Sequence, residues 1–464
     1  MTVISTSSRA AWLALVSRLH FYIGLFIAPF IFFAALSGTL YVIAPNIEKI
    51  LYAEQLYPKY EGVAHSLMQQ ITATQSAAGE NAQIIAVRPA PTDGESTRVM
   101  FSAAGLNTGE SRAIFIDPVT LTILGDMAVY GSSGSLPFRT WLDKLHSGAL
   151  FGSLGRNYSE LAASWMWVAA LGGIIMWAAQ RRQKRNLIKA KQNNRRRHIL
   201  LGLTLLPLLL FISVTGLTWS KWAGDNISVL RTTLAWKTPS LNTALTPPLL
   251  SATLTAKVLG ADEPHAHHCD SHAPGMAMPA NQLWRYDSVL AQARLAGIDA
   301  AKVEIRPGST ANHAWTVAEI DRSWPTQVDA RAFNIKTMQV VDQLNFDQFP
   351  LVAKLIRWGI DAHMGILFGV INQLVLVFFG IGLCSTIIIG YCMWWRRRPK
   401  HQRFPMQGSL MSSLGRLSLK GKILCLFPTL VLAVSLPLMG ASLAIFLILD
   451  GLCWLKARQT KIPI

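Results

Sequence analysis

The 464 residues are 51% hydrophobic with a mean hydropathy of +0.32, too apolar for an ordinary soluble enzyme and long enough for a membrane bundle with added domains. The net charge is +18, yet three segments, 1–18, 181–197 and 396–422, hold 19 Lys and Arg and no Asp or Glu. Basic charge confined to the flanks of apolar runs orients a chain in a membrane and meets anionic lipid, which excludes nucleic-acid binding as its explanation. Of five cysteines, four lie in apolar segments and only Cys269 in an external loop, so no disulfide framework follows.

Apolar runs near 20–44, 159–179, 199–219 and 368–395 each reach the roughly 20 residues needed to cross about 30 Å of hydrocarbon. Arg9 and Arg18 precede the first run, but its length and its copy in mid-chain predict a retained helix rather than a cleaved signal peptide. A fifth run, 423–455, is interrupted by Pro428, Pro437 and Gly440, and reads either as one kinked helix or as a hairpin turning at 437–440. Charge favours the hairpin, whose halves are short for spanning. The positive-inside rule puts the amino terminus and the basic loops in the cytoplasm, and 46–158 and 221–366 outside.

Between the paired spans lie two segments with the punctuation of small soluble domains, 46–136 and 224–345. The first predicts a helix over 63–77 and strands over 83–88, 97–103 and 112–116; the second predicts a helix over 284–297 and strands over 301–306, 313–320 and 331–335. Arg112-Ala113 with Ile116 recurs as Arg331-Ala332 with Ile335. Neither segment holds a Ser/His/Asp or Cys/His arrangement in a catalytic context, or a phosphate loop. The expected fold is an integral membrane α-helical bundle, four clear spans plus a broken C-terminal apolar segment, carrying two periplasmic α+β modules. It is built by internal tandem duplication: a first repeat over 1–185, a second over 186–400, then a cytoplasmic linker and apolar segment over 401–464.

The duplication is clearest at four histidines. His20, Gly24, Leu25, Pro29 and Gly38 match His198, Gly202, Leu203, Pro207 and Gly216, and Trp141, His146, Gly148 and Gly152 match Trp358, His363, Gly365 and Gly369, all at identical spacing. A parallel repeat brings equivalent positions to one depth, so His20 is expected to face His198 on the cytoplasmic side, and His146 to face His363 on the external side. Paired neutral imidazoles in an apolar bundle suit haem iron, and filling both axial positions favours one-electron transfer over oxygen activation. Gly24 and Gly202 either clear space for a flat macrocycle or allow close helix packing, and Gly148 and Gly365 allow the same two readings. Pro29 and Pro207 are expected to kink their helices at matching depth. Arg18 and the run Arg195–Arg197 serve haem propionates or topology, and Trp165, Met166 and Trp167 lie between haem levels or in the core.

This order of motifs resembles the PepSY-associated transmembrane proteins of bacterial inner membranes, over roughly residues 10–400. The resemblance implies PepSY-like external modules, two haems b ligated by His20, His146, His198 and His363, and, by analogy with dihaem siderophore reductases of that family, reduction of an imported ferric siderophore or similar metal complex. No nicotinamide or flavin motif follows a predicted strand, so an unidentified cytoplasmic electron donor is required. The rival readings are a cofactor-free siderophore or metal permease, which predicts broken helices with polar groups at mid-membrane, and a regulatory membrane protein that binds a periplasmic partner. Separately, His265, His267, His268, Cys269 and His272, with Met276 and Met278, form a donor-rich stretch absent from the first repeat. It reads as a loop that captures copper, zinc or nickel, or as an insertion without a role.

Overall fold

Each long apolar run forms helix, because a backbone in hydrocarbon must satisfy its own hydrogen bonds. In the computed structural model, which describes residues 6–79, 82–181, 193–245, 280–397 and 409–459, helix α1 (Thr6–Tyr22) passes through a π turn (Ile23–Ile27) into α2 (Ala28–Leu51). Short α3 (Ala53–Leu56) and α4 (Leu67–Ala78) precede strands β1 (Ile84–Arg88), β2 (Thr97–Phe101), β3 (Glu110–Ile116) and β4 (Ile123–Tyr130). Helices α5 (Pro137–Ser147) and α6 (Gly152–Arg181) complete the first repeat. The second runs α7 (Asn193–Thr204), α8 (Leu206–Leu217), α9 (Trp222–Thr233), α10 (Arg285–Leu295), β5 (Val303–Arg306), β6 (Trp315–Glu319), β7 (Ala330–Phe333), β8 (Val340–Leu344), α11 (Leu351–His363) and α12 (Gly369–Arg397). Helices α13 (Leu410–Gly415), α14 (Leu419–Ser435) and α15 (Pro437–Gln459) follow.

These elements divide into two compact units that cut across the repeats: Met1–Leu40 with Asp143–Leu230 and Leu374–Ile464, and Tyr41–Leu142 with Arg231–Gln373. The first unit is helical. Arg9–Leu51, Ala149–Gln180, Gly369–Arg397 and Pro437–Lys456 are each long and apolar enough to span a membrane, and α7 with α8 forms a fifth candidate bent by 58°. Phe33, Leu374, Phe378 and Phe427 are exposed, as a lipid-facing surface requires. The matched kinks are not found. Pro207 stands in the first turn of α8 beyond the break at Leu205, whereas the helix stays continuous through Pro29, which follows the π turn Ile23–Ile27.

The fifth run breaks at Leu436, immediately before Pro437 and not at Gly440, which leaves α15 long enough to span, contrary to the expectation that both halves are short. The two helices meet closely, since a Cβ on Gly440 would lie 2.7 Å from that of Ala433. Asn226 of α9 donates to the carbonyls of Val434 and Ser435, both at 3.1 Å, at the end of α14. Two buried carboxylates of this unit are satisfied by other elements. Glu160 accepts the backbone N–H groups of Trp222 (2.8 Å) and Ala223 (3.2 Å) at the start of α9, and Asp450 accepts the Tyr22 hydroxyl and the Met411 N–H. Trp165 belongs to the core: it is buried, its Nε1–H donates to Ser442 Oγ at 2.9 Å, and its ring lies 5.9 Å from that of Phe446.

The second unit differs from two separate modules. All eight strands form one antiparallel sheet in the order β4-β3-β2-β1-β5-β6-β7-β8, joined where β1 meets β5 with Val87 opposite Ile305. Each module does consist of a helix on a short sheet, with one additional outer strand, β4 and β8, that the alternation did not reveal. Helices α4 and α10 share one face of the sheet over a single core including Ile71, Phe101, Ile114, Tyr286, Trp315 and Phe333. Asp287 of α10 caps α4 by accepting the N–H groups of Leu67 (2.7 Å) and Met68 (2.9 Å). The repeated arginines have the corresponding role at the other helix ends: Arg112 of β3 donates to Ala78 O and Arg331 of β7 to Ala296 O, each at 3.1 Å.

Candidate functional site

His20 lies in the last turn of α1, whereas His198 lies midway along α7. The fold brings them together: their ring centroids are 6.5 Å apart and their planes stand at 87°. An imidazole nitrogen lies about 1.2 Å from its ring centre and binds a transition metal at about 2 Å, so two imidazoles on opposite sides of one metal would place their centroids about 6.4 Å apart. The observed separation therefore matches two imidazoles on one metal and exceeds direct contact between them.

Each ring is turned by a backbone carbonyl of the partner helix within its own repeat. His20 Nδ1 lies 3.0 Å from Ala169 O on α6, and His198 Nδ1 lies 3.0 Å from Thr386 O on α12. A carbonyl only accepts, so Nδ1 carries the proton in both rings, and Nε2 presents its lone pair. That is the tautomer a metal ligand needs, held by the outer hydrogen bond usual at such sites. Small residues on the same helices let the rings approach: a Cβ on Gly173 would stand 3.5 Å from His20 Cε1, and one on Gly390 would stand 3.6 Å from His198 Cε1.

Both histidines line a cavity of about 630 Å³, within the usual range for ligand pockets of about 300–1,000 Å³. Met166, Leu209 and Leu383 line it with apolar surface, and Arg18, Arg195 and Arg397 bring three guanidinium groups to its wall. Gly24 and Gly202 both line it, and a Cβ at either would meet nothing within 4 Å. These two glycines face open space rather than a neighbouring helix, so close helix packing does not account for them. An apolar cavity lined by two imidazoles with Nε2 free of the carbonyl contacts, and by a cationic wall, fits a flat, carboxylate-bearing macrocycle.

The other two histidines fall in different units. His146, in the last turn of α5, has Nδ1 3.0 Å from Ala34 O and 3.2 Å from Ser37 Oγ of α2, and Gly38 accommodates its ring, since a Cβ there would come within 3.0 Å of Cε1. The Tyr158 hydroxyl donates to His146 O at 2.7 Å. His363 is the last residue of α11 in the second unit. Gly148 and Gly365, at φ +84° and +75°, each make the left-handed turn that ends the helix after its histidine, and Gly148 also bears out the close-packing reading, since a Cβ there would run into the Gly155 backbone of α6. The donor-rich stretch containing His265, His267, His268, Cys269 and His272 lies outside the described residues, and among those described no other cluster of metal-ligating side chains occurs.

A family model described as the PepSY-associated TM region matches residues 17–397. The chain belongs to this family. A search of the curated proteins finds no match. The matched stretch begins three residues before His20 and ends at Arg397, so all four repeated histidines and the cationic wall of the cavity lie inside this PepSY-associated region. Sequence reasoning missed Ala169, Gly173, Thr386 and Gly390. A signal was present for the glycines, which stand 27 residues after His146 and His363 respectively.

Proposed function

We propose that this chain is a bacterial inner-membrane dihaem electron-transfer protein, with a cytoplasmic amino terminus and periplasmic modules, that reduces a ferric siderophore or similar metal complex at its external face. The observation that carries the reading is the His20–His198 pair, with its centroid separation, fixed tautomers and shared cavity. Haem b bound there supplies one-electron oxidation and reduction. His20 and His198 would hold it through Nε2, while Ala169 and Thr386 fix the ring orientation and raise ligand basicity. Arg18, Arg195 and Arg397 would neutralise its carboxylates, and Met166, Leu209 and Leu383 keep water from the apolar edge. His146 and His363 would hold the second haem, and two imidazole ligands for each iron would favour electron transfer over oxygen chemistry.

The chemical gain at the external face is a change of ion. Ferric iron is a hard cation held by oxygen donors, and addition of one electron gives a less charged ferrous ion that such donors hold more weakly. The membrane is the inferred setting for the apolar helices, and the electron donor is a separate cytoplasmic component.

The 58° break between α7 and α8 is a feature a permease reading would predict. The residue at the break is Leu205, which is 1% exposed and packs toward Gly382, where a Cβ would stand 3.0 Å from its Cδ1. An apolar side chain fills the gap, so no polar binding point is formed there. A reduced-minus-oxidised visible spectrum with haem quantification separates the readings. Two low-spin haems per chain are expected, followed by reoxidation on mixing with ferric siderophore while a ferrous chelator traps iron. Colourless protein, or reduced protein unchanged by several chemically different ferric siderophores, overturns the proposal.

A further inference from the structure

One ionic cluster in the second unit has no counterpart in the first repeat. Asp361, fully buried on α11, accepts Arg322 Nε at 2.6 Å, and Arg357 Nε, one turn earlier on the same helix, lies 3.4 Å from its other oxygen. Arg322 Nη2 also reaches Met364 Sδ at 3.5 Å, beside His363. The positions that match Arg357 and Asp361 in the first repeat are Thr140 and Lys144.

Two guanidinium groups against one carboxylate leave one positive charge uncompensated. Arg357 Nε and Asp361 Oδ2 face each other at 3.4 Å without hydrogen-bond geometry, so the ion pair between them is a loose one. Burial and the neighbouring Arg322 bring the Arg357 guanidinium down to about 10. Two partly buried guanidinium groups share this one carboxylate, and the excess positive charge favours an anion from outside the cluster.

The surface beside it is aromatic and fixed. Trp324, 57% exposed, lies 5.6 Å from the ring of Trp358 and 6.0 Å from that of Phe368, which is itself 55% exposed. Trp324 N–H donates to Leu367 O at 2.7 Å, Trp358 Nε1–H to Thr326 Oγ1 at 3.2 Å, and Gln327 N–H to Asp321 O at 2.9 Å, so both sides of the loop are tied down.

We propose that Arg322 and Arg357 form an anion site for a carboxylate carried on a flat, unsaturated or chelating body, presented next to His363. The carboxylate has two sources, a propionate of the haem held by His363 or a carboxylate of an arriving ferric chelate. Only the first rests on the haem reading above.

The test uses the full chain in lipid nanodiscs, as wild type, Arg357→Gln and Arg357→Lys. Metal-free citrate, titrated calorimetrically at low salt, should bind about tenfold more weakly to Arg357→Gln and recover in Arg357→Lys if the chelate is the source. If the source is a propionate, Arg357→Gln should lower the midpoint potential of one haem and leave the other unmoved, with Arg357→Lys restoring it. Citrate affinity and both potentials unchanged in Arg357→Gln overturn the proposal, as does a wild type that binds no citrate and has potentials indifferent to the substitution. Should the protein carry no haem, the citrate titration alone decides. Should Arg357→Gln fail to fold, wild-type citrate binding that weakens steeply with salt supports the site, and binding indifferent to salt overturns it.

Discussion

The Tyr391 hydroxyl donates to the carbonyl of Leu25 at 2.7 Å, across from α12 to the π turn that follows His20. Leu25 is the residue four before Pro29, whose missing N–H leaves that carbonyl without its helical donor. Tyr391 supplies the donor and lines the cavity at the same time. The bond therefore couples the second repeat to the segment that carries the first repeat's histidine.

Removing this hydroxyl has a defined cost. Tyr391→Phe leaves the Leu25 carbonyl unsatisfied in an apolar setting, worth about 1–3 kcal/mol. A lower unfolding temperature of the purified protein in detergent is expected, and an unchanged one shows that another donor replaces the bond.

Filling the slot separates folding from cofactor binding. A Cβ on Gly24 or Gly202 meets nothing, so Gly24→Ala should fold as the wild type does. Gly24→Leu and Gly202→Leu should fold as well but carry about half the haem, because their side chains would extend into the cavity that both imidazoles line. Full haem content in both leucine variants, measured by pyridine haemochrome, removes the slot as the site.

The histidines should pair across the repeats. His20→Ala and His198→Ala are each expected to deplete one and the same haem, and His146→Ala and His363→Ala the other, as resolved by redox titration. A pattern in which His20 and His146 deplete the same haem shows the pairing to be wrong.

Acid should weaken the joined sheet. Burial raises the Glu304 carboxyl, but Arg88 at 2.6 Å and Arg306 at 2.5 Å hold it down at about 2, against an ordinary 4.5. A depressed folded-state pKa contributes stability that is fully present above the unfolded value and is lost as pH falls from about 4.5 toward 2, here about 3 kcal/mol. Denaturant unfolding followed at Trp315 fluorescence should show that loss in the wild type and not in Glu304→Gln, which lacks the titrating group.

Topology is checked directly. Reporters fused after Lys191 or Pro399 are expected to be cytoplasmic, and reporters inserted near Gly94 or Pro274 periplasmic. A cytoplasmic reporter at Gly94 reverses the whole arrangement.

The apolar runs, the four histidines and the family were legible in the chain because each is a local pattern. A span is a length of apolar residues, and a duplicated ligand declares itself by spacing. The proposed cofactor reading also began there, with His20 and His198, but nothing in a linear pattern says which ring nitrogen is protonated. That was decided by the carbonyls of Ala169 and Thr386, and a backbone carbonyl leaves no mark on residue identity.

The same limit explains the rest. Every residue offers strand-pairing groups, so the pairing of Val87 with Ile305 that turns two modules into one sheet was invisible, whereas the alternation within each module was not. Pro29 and Pro207 look alike in sequence, yet one helix stays continuous and the other bends by 58°. Proline removes a donor locally, and whether the freed carbonyl finds another depends on a side chain, Tyr391, more than 360 residues away. Composition and spacing determine what each segment is able to do. Long-range hydrogen bonds and packing select among those options, because their energies depend on distances that exist only after the chain has folded.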